Sequence, residues 1–113
     1  MHLVRYADGV PYQPSDHIDV RPRRVQGREA GGPESLAVSI SQYPPGSGSR
    51  ELVPSPGCLV YVVVEGRVEV EHEGGIEELA KGDSISFMPG EKRAARNTSD
   101  ARATLIVIHT EVP

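Results

Sequence analysis

The clearest strand and turn signals in the chain lie in GCLVYVVVEGRVEVEHEGGIEELAKGDSISFMPGEKRAARN, residues 57–97. In RVEVEH the period is two, because Val68, Val70 and His72 share one face and charged residues take the other. CLVYVVV is apolar at every position, which is typical of a strand covered on both faces. EGG and PGEK are turn signals, since glycine and proline suit tight backbone reversals. The stretch therefore predicts several short strands joined by turns.

The same strand pattern continues on either side of this stretch. In SLAVSISQY, Leu36, Val38 and Ile40 alternate with small or polar residues, and ATLIVIHTEV is a final apolar strand. PPGSGS (44–49) between the first of these strands and the central stretch has the composition of a turn. No helical period of useful length occurs. Together these features predict an all-β fold, an antiparallel sandwich or barrel.

The chain has 113 residues, which suffices for one domain, because cores much smaller than ~50 residues rarely stand alone. Residues 1–35 are rich in proline, glycine and charge and contain only short apolar pieces. We expect them to form an irregular N-terminal arm with short edge strands that packs on the barrel or on a partner subunit. Residues 36–113 would then form the barrel.

Charge excludes two classes of partner. The net charge is -4 and the pI about 5.5, so no basic patch is expected for nucleic acid or an anionic membrane. The basic run RPRRVQGR (21–28) has acidic flanks and no interleaved aromatic residue, which favours a solvated surface. The longest apolar run, CLVYVVV, is far shorter than the ~20 residues of a membrane helix. We therefore predict neither nucleic acid nor a membrane as a partner.

Cysteine usage indicates a compartment. Cys58 is the one cysteine, so it cannot form an internal disulfide, and it is expected to be a buried small hydrophobic residue. No stretch combines a basic start, a long apolar run and a small-residue cleavage site. A reducing, cytosolic location is the expectation.

The ordered features of residues 57–97 resemble the core of the cupins, the family of small jelly-roll barrels. The features are an apolar strand that ends in Glu65–Gly66, a hairpin, the pair Gly82–Asp83, a Met-Pro-Gly turn and then Asn97. With the flanking strands, the resemblance covers about residues 36–110. It implies a single-domain cupin-like jelly-roll, or double-stranded β-helix, barrel. It also implies a homodimer, because N-terminal strands of the family often exchange or pair between subunits.

The resemblance fails at the positions that bind metal in the family. Cupins carry the motifs G-x5-H-x-H-x(3,4)-E-x6-G and G-x5-P-x-G-x2-H-x3-N. Counted back from Gly66, the glutamate position of the first motif falls on Leu59. In the second motif Arg93 takes the histidine position and Met88 the proline position. The two histidine positions of the first motif fall on Val53 and Ser55, or on Leu52 and Pro54 with the longer gap.

These substitutions decide the expected cofactor. A transition metal needs several imidazole or carboxylate groups at ~2.0–2.2 Å, and leucine, valine, serine and a guanidinium do not supply them. We therefore predict that the usual cupin divalent metal is absent and that no cofactor is bound.

Arg93 is the most informative departure. If the motif alignment holds, its side chain starts on the inner wall, where an unpaired charge is costly. Glu51, Asp83 or the carboxylate or phosphate of a ligand would then meet it. Alternatively, Arg93 lies at the rim and its guanidinium reaches water.

The other candidate site residues are polar groups expected near the interior. His17, in the arm, and His109, on the last strand, are the candidate catalytic bases. Tyr61 lies two residues after Leu59 on the same predicted strand, so its side chain would face the same side and line the interior. The candidate ligand-binding residues are Arg93, Tyr61, Glu51 and Ser55.

Two classes of function remain open for a barrel that binds a small, anionic organic molecule. As an enzyme, the protein would catalyse metal-independent proton transfer, such as isomerisation, dehydration or cyclisation, with Arg93 stabilising an anionic intermediate. As a binding or accessory module, it would use the same pocket without chemistry. A third alternative is a metal enzyme with a relocated ligand set, formed by His17, His72, His109 and Glu51.

Overall fold

The computed structural model describes residues 1–110, so the end of the predicted last strand, at residues 111 and 112, lies outside the described residues. No α-helix occurs in residues 1–110, which contain twelve β-strands and one short 3-10 helix, Tyr6–Asp8. The strands are β1 (Val10–Pro11), β2 (His17–Ile18), β3 (Arg21–Gln26), β4 (Leu36–Tyr43), β5 (Gly48–Ser49), β6 (Val53–Pro54), β7 (Leu59–Glu65), β8 (Arg67–His72), β9 (Gly75–Ala80), β10 (Ser84–Phe87), β11 (Lys92–Arg96) and β12 (Ala103–Thr110).

The strands form two antiparallel sheets. The first sheet has the order β1-β3-β4-β12-β7-β10, and the second has the order β2-β5-β11-β8-β9, with β6 also paired to β11. Strands that are neighbours in a sheet are mostly distant in sequence, as in a jelly roll. The all-β, cupin-like jelly-roll prediction is confirmed.

The core lies between the inner faces of the two sheets. Val63 and Leu105 from the first sheet and Val68 and Val70 from the second are almost fully buried. Each lies at one of the alternate positions along its strand whose side chains face the interior. These inward-facing side chains thus fill the interior of the barrel and hold the two sheets together.

Gly66 joins β7 to β8 and shows why a glycine follows the long apolar strand. Its φ is 76°, in the left-handed region of the backbone that residues other than glycine rarely adopt. A Cβ on Gly66 would also lie 2.6 Å from the backbone oxygen of Arg102. Only glycine fits this crossing between the two sheets.

The basic run 21–28 differs from its prediction. Arg21 and Arg28 are exposed as predicted, but the run also supplies β3, which pairs with β4 and buries Pro22 and Arg24. The guanidinium of Arg24 donates from Nε to Ser39 Oγ at 2.9 Å and lies 4.8 Å from the centre of the Tyr12 ring. Aromatic stacking and a hydroxyl acceptor let an arginine occupy an inward position. Residues 21–26 of the arm therefore belong to the first sheet.

Asn97 follows β11 and fixes the end of that strand. It is buried, and its Nδ2 donates to the backbone oxygens of Tyr43 at 2.7 Å and Ala101 at 2.8 Å. Its Oδ1 accepts from the backbone nitrogen and the hydroxyl of Ser99. The asparagine of the second motif thus ties β4, β11 and the following turn together.

Among residues 1–110, no helix has the length and apolar character needed to span a bilayer.

Candidate functional site

A cavity of about 180 Å³ opens between the inner face of the first sheet and the N-terminal arm. We call it the barrel cavity. Both sheets and the arm contribute to its wall, which is apolar at Leu59 and Val107. None of the described residues that line it is acidic. Its polar lining includes His17, Arg24, Ser41, Tyr43, Tyr61, Arg93 and His109.

Strand register explains why these side chains meet. Leu59 and Tyr61 alternate inward on β7, and β12 places His109 opposite Leu59 and Val107 opposite Tyr61. Arg93 enters from β11 of the second sheet, while His17 comes from β2 in the arm. The structure therefore brings four predicted site residues, from sequence positions 17 to 109, into one cavity.

Arg93 is half-buried and carries an unpaired donor. Its Nη1 donates to the backbone oxygen of Val53 at 3.0 Å, whereas its Nε is buried and has no hydrogen-bond partner in residues 1–110. No described carboxylate lies within 4 Å of the guanidinium. Glu51 is exposed, and Asp83 instead accepts from the backbone nitrogen of Ala80 at 2.9 Å. The expectation that Glu51 or Asp83 neutralises Arg93 is therefore wrong.

Two buried tyrosines stand next to this cation. Burial raises the pKa of Tyr61, and the charge of Arg93 opposes part of that rise. Burial also raises the pKa of Tyr43 well above its ordinary value of 10.0, and the neighbouring Tyr61 adds to the rise. Both phenols therefore stay neutral at physiological pH and keep an O–H to donate.

His17 is held in one tautomer. Its Nδ1 lies 2.7 Å from the backbone oxygen of Ser15, and a carbonyl oxygen only accepts, so Nδ1 carries the proton of the neutral ring. Its Nε2 is then an acceptor for the hydroxyl of Ser49 at 2.9 Å. Sequence reasoning missed Ser49, because only the antiparallel pairing of His17 with Ser49 brings them together.

The remaining predicted site residues lie elsewhere or have other contacts. His109 lines the barrel cavity, and its ring makes no hydrogen bond within residues 1–110. Ser55 is buried, but its hydroxyl donates to the backbone oxygen of Gly57 at 2.6 Å and it does not line the cavity. Glu51 does not line it either.

A second, more open cavity of about 590 Å³ lies beside the β8–β9 hairpin. We call it the hairpin groove. His72 lies here, with its Nε2 2.9 Å from Glu77 Oε2. Phe87 and Ile85 supply an apolar wall. The charged residues that line the groove are Glu73, Glu77, Glu91 and Lys92.

The donor set does not fit the divalent metal that the fold implies. Leu59 and Arg93, which occupy two of the family's ligand positions, do line one cavity, but one is apolar and the other cationic. His72 of the relocated set lies in the hairpin groove, away from His17 and His109. Within residues 1–110, no group of three His, Cys, Asp or Glu side chains is placed to hold a metal ion.

Comparisons with known proteins agree with this architecture. The chain is 37% identical over 107 residues to a beta-D-galactosidase of Mycobacterium tuberculosis H37Rv, covering 95% of this chain and 91% of that protein. The polyketide cyclase RemF from Streptomyces resistomycificus has a similar fold, with a TM-score of 0.83 at 15% identity over 97% of this chain and 79% of that chain. An RmlC-like cupin from Shewanella frigidimarina has a TM-score of 0.78 at 18% identity over 99% and 92%. At these identities the two structures show the fold alone.

The family model for the cupin domain matches residues 39–109, which are most of the barrel. This match includes strands of both sheets and every cavity-lining residue contributed by β7, β11 and β12, while β1, β2 and β3 lie before it. The chain belongs to the cupin domain family.

Proposed function

We propose that the barrel cavity binds a small organic anion and catalyses, without a metal, proton transfer at the carbon next to a carbonyl group of that anion. The observation that carries this proposal is the buried Nε of Arg93, which has no partner in residues 1–110 and lies in the wall of a cavity with no described acidic lining residue. Buried donors are costly when unpaired, and an arginine fork pairs well with a carboxylate. A ligand carboxylate that contacts the guanidinium from the cavity would supply the missing countercharge.

The size of the cavity limits the ligand. Its 180 Å³ is below the roughly 300–1,000 Å³ typical of pockets for drug-sized molecules. A carboxylic or keto acid of a few carbons matches this volume. The apolar wall at Leu59 and Val107 would contact the carbon chain while Arg93 contacts the acid group.

The side chains supply both a charge-stabilising group and a base. Arg93 and the neutral hydroxyl of Tyr61 would donate to the oxygen on which charge develops when an enolate forms. His109, whose ring has no hydrogen bond in the described chain, would take the carbon-bound proton. Both ring nitrogens of His17 are hydrogen-bonded, to Ser15 and Ser49. This histidine would therefore position the ligand or relay a proton rather than take the proton from carbon.

The chain's own donors argue against metal-assisted chemistry at this place. The cation of Arg93 at a former ligand position would repel a divalent ion rather than bind it.

We also propose a reducing, cytosolic setting, because Cys58 is half-buried and unpaired.

The first test is binding. Isothermal titration with pyruvate, malonate and inorganic phosphate should give saturable heat for wild type, and the strongest binder should raise Tm in proportion to the logarithm of its concentration. Arg93→Met should lose this binding, while Arg28→Met, at an exposed arginine outside the cavity, should retain it. Equal binding by wild type and Arg93→Met would refute the proposal.

The second test separates an enzyme from a binding module. In D2O, an enzyme would exchange the methyl protons of pyruvate for deuterium, which one-dimensional NMR detects directly. His109→Gln should abolish exchange and keep binding. Saturable binding with no exchange in wild type would identify the non-catalytic module instead. Metal content by elemental mass spectrometry accompanies both tests, and one equivalent of a transition metal per chain would refute the metal-free proposal.

A second candidate function is the hydrolysis of β-D-galactosides. The observation that favours it is the 37% identity to the mycobacterial beta-D-galactosidase over nearly the whole chain. Glycoside hydrolysis usually needs two carboxylates, and the described lining of the barrel cavity has none. The hairpin groove, with Glu73, Glu77 and Glu91, offers three.

This candidate has a discriminating assay. Release of nitrophenol from nitrophenyl β-D-galactoside should depend on Glu77 and Glu91, and Arg93→Met should leave it unchanged if the groove is the site. Activity lost in Arg93→Met but kept in Glu77→Gln and Glu91→Gln would place galactoside chemistry in the barrel cavity. No activity in wild type would exclude this substrate.

A further inference from the structure

A serine hydroxyl that the proposed proton transfer at carbon does not use is hydrogen-bonded to His17. Ser49 Oγ donates to His17 Nε2 at 2.9 Å, and His17 Nδ1 donates to the backbone oxygen of Ser15 at 2.7 Å. A serine is activated as a nucleophile when its hydroxyl donates to an imidazole nitrogen and a third group orients the imidazole. Ser49, His17 and the Ser15 carbonyl have the relative positions of nucleophile, base and orienting acceptor.

The backbone holds this series of hydrogen bonds in place. His17 lies directly opposite Ser49 in the pairing of β2 with β5, and the backbone nitrogen of Arg50 donates to the backbone oxygen of Asp16 at 2.8 Å. Asp16 has a φ of 58°, a left-handed conformation that is uncommon outside glycine. It lies between Ser15 and His17, so its turn lets the Ser15 carbonyl meet the imidazole ring. Left-handed backbone at residues other than glycine is concentrated at functional sites.

The second sheet fixes Ser49 as well. Its backbone oxygen accepts from Arg96 Nε at 2.9 Å, and Arg96 Nη1 donates to Glu71 Oε1 at 2.6 Å. Gly48 lets β5 lie close to β11, because a Cβ on Gly48 would be 2.6 Å from the backbone oxygen of Ala95. A reacting side chain keeps its geometry only when its neighbours are themselves held in this way.

A cavity of about 440 Å³ lies beside this serine, and Ser49 is one of its lining residues. We call it the turn cavity, because residues 46–50 form much of its wall. Ile18 supplies a large apolar side chain that is 44% exposed. None of the described residues that line the turn cavity is acidic, so it suits a neutral or anionic molecule. His17 lines the barrel cavity, so the Ser49–His17 hydrogen bond connects the walls of the two cavities.

Two further donors line the turn cavity. Ser47 is 2% exposed, and its Oγ has no hydrogen-bond partner in residues 1–110. A buried hydroxyl without a partner is costly, and a ligand oxygen beside it would remove that cost. The exposed side chain of Arg50 makes no hydrogen bond or ion pair in the described chain. Both groups would stabilise negative charge on an oxygen in this cavity.

We propose that Ser49 is the nucleophile of a second site, in the turn cavity, that hydrolyses small carboxylic esters. Ser49 Oγ bonds to the ester carbonyl carbon and its proton passes to His17 Nε2, while one electron pair of the C=O bond moves to the oxygen, towards Ser47 and Arg50. The bond from this carbon to the alcohol oxygen then breaks, the C=O bond re-forms, and the alcohol takes the proton from Nε2.

Water completes the cycle on the acylated serine. It gives a proton to His17 Nε2 as its oxygen bonds to the acyl carbon, and the bond between that carbon and Ser49 Oγ breaks. Ser49 recovers its proton from Nε2 and the carboxylic acid leaves. One ester and one water thus give one acid and one alcohol, with no metal or redox cofactor.

The test is covalent labelling of the whole chain with diisopropyl fluorophosphate, followed by intact-protein mass spectrometry and peptide mapping. Wild type should gain one diisopropylphosphoryl group, on Ser49, and should release nitrophenol from 4-nitrophenyl acetate with saturation kinetics. Ser49→Ala should lose both reactions, and His17→Gln should slow both by about 100-fold or more. Ser35→Ala and His2→Gln, at exposed positions outside the turn cavity, are the matched controls and should react as wild type does. A wild type that takes no label, or takes it at another residue, would overturn the proposal.

Ser49→Cys decides the case in which Ser49→Ala fails to fold. The introduced thiol should react with iodoacetamide about tenfold faster than it does in the double variant Ser49→Cys, His17→Gln, because a neighbouring histidine favours the thiolate. Cys58 is the reference within each protein, and its own rate should be the same in both. Equal rates for the introduced thiol in the two folded proteins would refute the role of His17.

Discussion

The guanidinium of Arg93 donates through Nη1 to the backbone oxygen of Val53 at 3.0 Å, and the two residues pair directly between β11 and β6. In the motif alignment Arg93 takes the histidine position of the second motif, and Val53 takes a histidine position of the first motif when the shorter gap is used. The fold thus brings the two motifs together, and the Arg93 side chain joins them by a hydrogen bond to the backbone of Val53.

Arg93→Met tests whether this arginine serves a ligand or the fold. The variant removes a half-buried charge that has no carboxylate partner in residues 1–110, so we expect the free energy of unfolding to stay within about 1 kcal/mol of wild type or to rise. Urea denaturation followed by circular dichroism measures it. A loss above about 2 kcal/mol would assign Arg93 to the structure.

The two histidines with defined partners should have opposite tautomers. His17 donates from Nδ1 to the Ser15 carbonyl. In His72, Nδ1 accepts from the backbone nitrogen of Gly74 at 3.1 Å, so Nε2 carries the proton and donates to Glu77.

Long-range proton–nitrogen NMR correlation at pH 8 distinguishes the two neutral tautomers, with each histidine acting as the control for the other. In Ser49→Ala the Nδ1 proton of His17 should persist, because the Ser15 carbonyl holds it. A signal from His17 protonated at Nε2 would contradict the hydrogen-bond pattern that we describe.

Burial of Tyr43 should make the protein sensitive to alkali. Its pKa is raised in the folded state, so the unfolded chain loses this proton first as the pH rises through 10.0, its ordinary pKa. The stabilisation is therefore complete below pH 10 and is lost above it, by about 1.4 kcal/mol per pH unit.

Tyr43→Phe should flatten the fall in the free energy of unfolding between about pH 10.5 and 12 by that amount. Tyr6→Phe, at a tyrosine that is 45% exposed, should leave the slope unchanged. The measurement is urea denaturation at a series of pH values. Identical slopes for wild type and Tyr43→Phe would show that Tyr43 ionises in the folded protein.

Asn97→Ala should destabilise the barrel strongly. The substitution removes the amide donor from the backbone oxygen of Tyr43 in a buried place, and it removes one of the two side-chain donors to the backbone oxygen of Ala101. We expect a loss of about 2–4 kcal/mol in the free energy of unfolding. Thr98→Ala, at the exposed neighbour, should change it by less than about 0.5 kcal/mol. A loss below about 1 kcal/mol for Asn97→Ala would mean that water replaces the amide.

Strands with a clear apolar period were predictable, whereas strands without one were not. β7, β8 and β12 lie within the stretches predicted from their apolar residues. β3 and β11 were missed because RPRRVQ and KRAAR contain few large apolar residues. Arg24 is buried through Ser39 and Tyr12, which are distant in sequence, so no local pattern announces it.

The fold class, the turn positions and the absence of the usual ligands at Leu59 and Arg93 could be read from the amino-acid sequence, because all three depend on local periodicity and on side-chain chemistry. Which candidate residues meet could be seen only in the folded chain. The tertiary structure gathered His17, Tyr61, Arg93 and His109 in one cavity and left Glu51, Ser55 and His72 outside it. It also placed Ser49 against His17. Such proximity arises from pairing between strands that are far apart in the chain. A period of two shows on which face of the sheet a side chain lies, but it does not show which residue of another strand lies beside it.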